Sequence, residues 1–113
     1  MPDPRRGDIW WIDLDPTRGR EQAGKRPALI ISVNEFNEGA ADLVVLIPIT
    51  SKERGVPLHV EIRPPEGGVK CKSFVKCEDV RSVSKGRLLS RLGVVKSPTI
   101  SEVEDRLRLL LGL

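Results

Sequence analysis

Pro27-Ala28-Leu29-Ile30-Ile31-Ser32-Val33 is the stretch on which the fold turns. A short, continuous apolar run, rich in branched side chains and bounded by loops, is the pattern of a buried β-strand. Immediately before it stands Gly19-Arg20-Glu21-Gln22-Ala23-Gly24-Lys25-Arg26, with two glycines and a dense set of charges, which reads as an exposed loop. The residue before a proline is held in extended geometry, so Arg26 enters the strand with its backbone fixed. An arginine placed in this way suits a phosphate or a carboxylate, although a plain polar surface loop has the same composition.

Upstream, Asp8 to Leu14 reads as a first strand closed by Asp15-Pro16-Thr17, with Ile9, Trp11 and Leu14 toward the core. Trp10 and Trp11 then point to opposite faces, one of them a core residue and the other a second core residue, a dimer contact or a stacking surface. Downstream, 34–41 is a connector and Asp42 to Thr50 a third strand. Pro48 has no N–H for a ladder, which requires an edge or a bulge near the end of that strand, just before Thr50 and Ser51. Leu58 to Arg63 alternates as a fourth strand, and Pro64-Pro65-Glu66-Gly67-Gly68 is a turn. Ser73 to Val83 is a fifth, bent strand, and residues 81–95 hold a helical turn and a last small strand. Ser97-Pro98 reads as an N-cap followed by proline at the first helical position. Ile100, Val103, Leu107, Leu110 and Leu111 then follow helical spacing until Gly112 ends the helix. The expected class is mainly β with a C-terminal helix: a small barrel with a helix packed on it, in one domain spanning residues 1–113.

The 113 residues carry a net charge of +3, which favours an anionic partner. Placement says more than the total. Between Arg81 and Lys96 there are five basic residues and no acidic one, and the loop adds Arg18, Arg20, Lys25 and Arg26 against Glu21. No apolar run is long enough to span a membrane and the first residues do not resemble a signal peptide, so the cytoplasm is the expected location. Cys71, Cys77 and the lone His59 do not make a zinc site. Both cysteines read as free thiols on one strand stretch, with Cys77 in the core. His59, mid-strand, reads as a partly buried hydrogen-bonding residue. Aromatic content of 4% argues against a barrel that binds single strands by a series of stacking platforms.

Taken in order, several segments resemble the MazF/PemK toxin family. They are Arg6-Gly7-Asp8-Ile9, then Asp15-Pro16-Thr17 with Gly19, Glu21-Gln22, Gly24 and Arg26-Pro27, then Pro48-Ile49-Thr50-Ser51. Leu58-His59-Val60-Glu61, Val80-Arg81-Ser82-Val83 and 109–113 continue the match to the end of the chain. The resemblance implies an SH3-like barrel, a homodimer, and an endoribonuclease that cuts single-stranded RNA at a short sequence without metal or other cofactor. It also implies a cognate antitoxin, whose acidic tail would block the basic groove, and no membrane association.

Metal-free RNA cleavage proceeds by attack of the 2′-hydroxyl on its own phosphate, which leaves a cyclic phosphate and a 5′-hydroxyl. The protein must align the attack, stabilise added negative charge and move two protons. One histidine cannot supply a two-histidine acid–base pair within a protomer. Arg26 can hold two phosphate oxygens in its fork, and the resemblance places it at the reaction centre. Thr50 matches the family's catalytic threonine, and its hydroxyl can donate to phosphate or position the 2′-hydroxyl; Ser51 can support it. Glu21 and Glu78 are both candidates for the general base or for base recognition, with Gln22 beside the first. Asp79 departs from the glutamine common in the family, which is expected to change the bases accepted. Lys25, Lys76 and Arg81 are candidate phosphate contacts, and Lys52 and Arg54 could extend that surface. Two other readings fit parts of the pattern: a same-fold, non-enzymatic poison of DNA gyrase, and a small basic barrel that only binds RNA.

Overall fold

A computed structural model describes residues 3–14 and 24–113. Within them lie seven strands: β1 Asp8–Asp13, β2 Lys25–Ile30, β3 Leu43–Thr50, β4 His59–Ile62, β5 Ser73–Lys76, β6 Arg81–Ser84 and β7 Leu88–Val94. Two helices, α1 Asn34–Asn37 and α2 Ser97–Leu111, complete the order. The class is mainly β, antiparallel, with a C-terminal helix, as the sequence pattern requires.

Strand β3 organises the molecule. One edge pairs with β2, and β1 and β7 follow beyond it. The other edge is shared between two strands: Leu43 to Leu46 pair with β6, whereas Ile49 and Thr50 pair with β5. Pro48 falls in the gap between these two pairings, where the chain can dispense with a ladder donor. The expected irregularity is therefore a change of partner strand, and it lies two residues before Thr50.

Two apolar clusters lie on opposite faces of β1–β3. Ile9, Leu29, Ile47 and Ile49 face one, where they meet β4, β5 and Val103 of α2. Trp10, Ile12, Ala28, Ile30, Val44 and Leu46 face the other, closed by Val83 and Leu88. Burial on both faces explains why β2 and β3 read as unbroken apolar runs rather than alternating ones. It also corrects the expected β1 pattern. Trp10 is 2% exposed and Trp11 37%, because Trp11 shares the face of Ile9 but falls past the end of that core.

Other boundaries shift for local reasons. The expected fifth strand is two strands separated by a 3-10 turn, Cys77–Asp79, which carries the chain from one half of β3 to the other. Cys77 is buried in that turn as expected, but Cys71 lies before β5 and is exposed, so the two cysteines do not share a strand. Residues 34–37 form α1 rather than a plain connector. Ser97 is the first helical residue and not the N-cap: Lys96 occupies that position, without a side-chain cap of its own. Glu66 supplies one from outside, its Oε2 accepting from Lys96 N at 3.0 Å and from Thr99 Oγ1 at 2.5 Å. A carboxylate there also suits the positive end of the helix. Arg6 ties the start of β1 to α2 through Glu104 Oε2 at 2.7 Å. Gly112, in the left-handed region, ends the helix.

Candidate active site

The antiparallel register decides where Arg26 and Thr50 meet. The β2–β3 ladder ends with Ala28 opposite Pro48, and extending its register by two residues puts Arg26 across from Thr50. Both line a cleft of about 490 Å³ at the end of β2 and β3. Lys25 and Ser51 line it too. Thr50 is buried, and its Oγ1 accepts from Lys52 N at 3.2 Å, which leaves its own hydroxyl proton available to donate. Lys25, Arg26 and Lys70 bring three positive charges, and no described carboxylate lines the cleft. Such a site suits an anionic group.

Another wall comes from residues 68–71 and Ser73, of which the sequence pattern assigns only Gly68, to a turn, and Ser73, to a strand. Its position depends on backbone contact. A Cβ on Gly68 would lie 2.4 Å from Leu92 O, and one on Gly93 would lie 2.7 Å from Gly67 C. Only glycines allow β7 and this segment to approach so closely. Leu92 and Trp11 complete the lining. The lysine-flanked run Lys70-Cys71-Lys72 was the one visible hint that this segment faces an anion.

Four further residues singled out from sequence lie outside the cleft, on the segment from β5 to β6. Glu78 Oε2 is 2.8 Å from His59 Nε2, and His59 is a partly buried hydrogen-bonding residue at the start of β4, as expected. Asp79 Oδ2 accepts from an Arg81 guanidinium nitrogen at 2.7 Å. Lys76 lies opposite His59 in the β4–β5 ladder. Glu21 and Gln22, and the basic residues Arg18 and Arg20, fall outside the described residues. Among the described residues no group of three or more His, Cys, Asp or Glu side chains could hold a metal ion.

A second cleft, of about 570 Å³, lies over Glu61, Arg63, Glu66 and Lys96. None of the residues expected to act on RNA lines it, and its charges are balanced. Arg63 hydrogen-bonds Glu61 and, with Lys72, holds that carboxyl below the usual range. Near the turn, Cys77 is pushed up to about 12, first by burial and then by the Glu78 charge.

An antiparallel barrel-like sheet carrying a C-terminal helix, with an arginine and a threonine brought together in a cationic cleft, defines a class of small helix-capped β proteins with a site for an anion. The sequence profile described as PemK-like, MazF-like toxin of type II toxin-antitoxin system matches residues 5–111, and the chain belongs to that family. It is similar to endoribonuclease MazF9 of Mycobacterium tuberculosis, with 33% identity over 96% of this chain and 97% of the relative. The fold superposes on crystalline MazF from Deinococcus radiodurans with a TM-score of 0.90, at 31% identity over 100% of both chains. A mycobacterial endoribonuclease in complex with its cognate antitoxin gives a TM-score of 0.78 at 26% identity, covering 100% of this chain and 97% of that one. In kind, the protein is a MazF-like toxin–antitoxin endoribonuclease. No helix among the described residues is long and apolar enough to cross a membrane.

Proposed function

We propose that the protein cuts single-stranded RNA at a short sequence by 2′-hydroxyl attack, leaving a 2′,3′-cyclic phosphate and a 5′-hydroxyl, with no metal or other cofactor in the reaction. The observation that carries this proposal is the meeting of Arg26 and Thr50 in a cleft lined by lysines and free of described carboxylates. Attack by the 2′-oxygen forms the new P–O bond as the bond to the 5′-oxygen breaks. The 2′-hydroxyl gives up its proton to a general base, and the 5′-oxygen takes one. Arg26 holds the non-bridging oxygens and offsets the charge that builds on them, and the Thr50 hydroxyl donates to one of them or aligns the nucleophile. Arginine keeps its proton near neutral pH, so charge stabilisation rather than proton donation is its role.

Lys25 and Ser51 border the reacting phosphate. Glu21, Gln22, Lys76, Glu78, Asp79 and Arg81 contact the flanking nucleotides, and the base is Glu21 or Glu78. The His59 contact at 2.8 Å on Glu78 favours recognition over proton abstraction for that residue. One domain carries all of this, and two copies form the working homodimer. A cognate antitoxin with an acidic tail covers the cationic cleft, as the mycobacterial complex suggests by analogy. The toxin acts in the cytoplasm, where its RNA targets are.

The test uses a mixed-sequence single-stranded RNA and the matching DNA, with EDTA present. Wild-type protein is expected to give discrete RNA fragments with 5′-hydroxyl ends and to leave DNA whole. Arg26→Ala is expected to lower kcat by about 10²- to 10³-fold, the loss typical of one transition-state donor. Cleavage of DNA, dependence on added metal, or an Arg26→Ala variant of full activity overturns the proposal.

A further inference from the structure

The protein has two tryptophans, two phenylalanines and no tyrosine, and the structure places all four rings. Trp10 and Phe74 are buried. Phe36 is exposed on α1 and does not line the cleft. Trp11 alone combines exposure with a place in the cleft. Trp11 is opposite Pro27, one row from Ile12 and Arg26 and so on the alternate face of the sheet, and it is the cleft at the strand ends that brings it together with Arg26 and Thr50. The lining beyond the cations and hydroxyls is apolar, from Leu92 and Val69. The cleft therefore has one end suited to a phosphate and another suited to a flat, weakly polar ring.

We infer that Trp11 is the stacking platform for one unpaired base beside the scissile phosphate, a substrate-positioning role that rests on the RNA-cleaving function proposed above. A nucleotide joins the two chemistries that the cleft offers: an anionic phosphate and an aromatic face. Stacking on an indole requires a base that has left its neighbours, so this contact selects single strands at the cut site and tolerates any base identity. It also fits the low aromatic content, since one platform orients one nucleotide whereas a general single-strand binder needs several.

The test pairs Trp11 variants with RNA lacking single bases. Wild type, Trp11→Phe and Trp11→Leu are assayed on one RNA carrying the cut site, and on a set in which each nucleotide flanking the cut is abasic in turn. Trp11→Leu is expected to raise KM by about 5- to 150-fold, the range for loss of one base–aromatic stack, with kcat nearly unchanged. Trp11→Phe should recover most of the loss. One abasic position should cost wild type a similar factor and cost Trp11→Leu little more, because both changes remove the same contact.

A Trp10→Phe protein, in which Trp11 is the sole fluorophore, should lose emission when saturated with an uncleavable RNA that is 2′-deoxy at the cut. The inference is overturned if Trp11→Leu keeps the wild-type KM, if every abasic position adds fully to its loss, or if Trp11 emission does not respond to bound RNA. It is equally overturned if the KM change accompanies conversion of dimer to monomer, which would make Trp11 a subunit contact. Failure of wild type to cut RNA at all would instead remove the underlying function.

Discussion

Replacing Gly93 by alanine tests the contact that sets the width of the cleft. An ideal Cβ there lies 2.7 Å from Gly67 C, 2.9 Å from Gly67 O and 2.9 Å from Gly68 N, all of them backbone atoms that no rotamer can move. Ordinary contact begins at 3.4 Å, so the two segments must part by 0.7 Å (3.4 less 2.7). Forcing a methyl group into a packed interior costs about 1–3 kcal/mol. Reduced freedom of the unfolded chain returns about 0.4–1 kcal/mol of this. The net loss, about 1–2 kcal/mol, corresponds to a fall in Tm of roughly 4–10 °C for a chain of this size. Gly86→Ala is the control, since its Cβ meets only Ser84 Oγ, at 3.5 Å. Thermal unfolding followed by circular dichroism compares the two, and RNA cleavage at 25 °C follows the site. Because Gly68 and Leu92 both line the cleft, Gly93→Ala should lose more activity than its unfolded fraction explains. A Tm within about 1 °C of the Gly86→Ala protein would show that the close approach is absent and refute the reasoning.

Four further outcomes are expected. Glu66→Gln removes the carboxylate that caps α2 from outside and should cost about 1 kcal/mol, seen as a lower urea midpoint with an unchanged slope. In the native protein one thiol, Cys71, should react with a disulfide reagent, and Cys77 only after unfolding. Since Cys77 is raised to about 12 in the fold, the unfolded chain releases that proton first, so stability should fall as pH rises from about 9 toward 12, and Cys77→Ala should flatten this limb. Lys70→Ala should lower the salt dependence of RNA binding by about 0.7 in the slope of log K against log salt, the value for one lost phosphate contact on a single strand, with little change in kcat.

Much of this architecture is legible in the order of residues because two strands are buried on both faces. The apolar runs 27–33 and 42–50 announce β2 and β3, although β2 starts at Lys25 and ends at Ile30, and the helix Ser97–Leu111 is announced by its spacing and by Gly112 after it. What the sequence hides is set by partners far along the chain. Nothing local to Ser73–Val83 says that Cys77–Asp79 must turn, because the need arises from β3 offering different halves of one edge to β5 and β6. Trp11 and Trp10 are chemically alike, and only the end of the core beside Ile9 decides which is exposed. Ser97 looked like a cap because it precedes a proline, whereas the cap arrives from Glu66, thirty residues away. At the site, Arg26 and Thr50 were readable as a strand start and a strand end, and the β2–β3 register, extended by two residues, brings them to one cleft. The wall at 68–71 was not, since its place depends on three glycines meeting across two segments.

The late position of β7 has a consequence for how the toxin comes into being. Gly93 and Leu92 hold the wall formed by residues 68–71, and Leu92 itself lines the cleft, although more than four-fifths of the chain is made before either is added. A polypeptide still being translated therefore has Arg26 and Thr50 but no finished pocket around them. A fragment ending before Leu92 would lack the backbone contact that seats Gly68, and with it one wall of the cleft around Arg26 and Thr50.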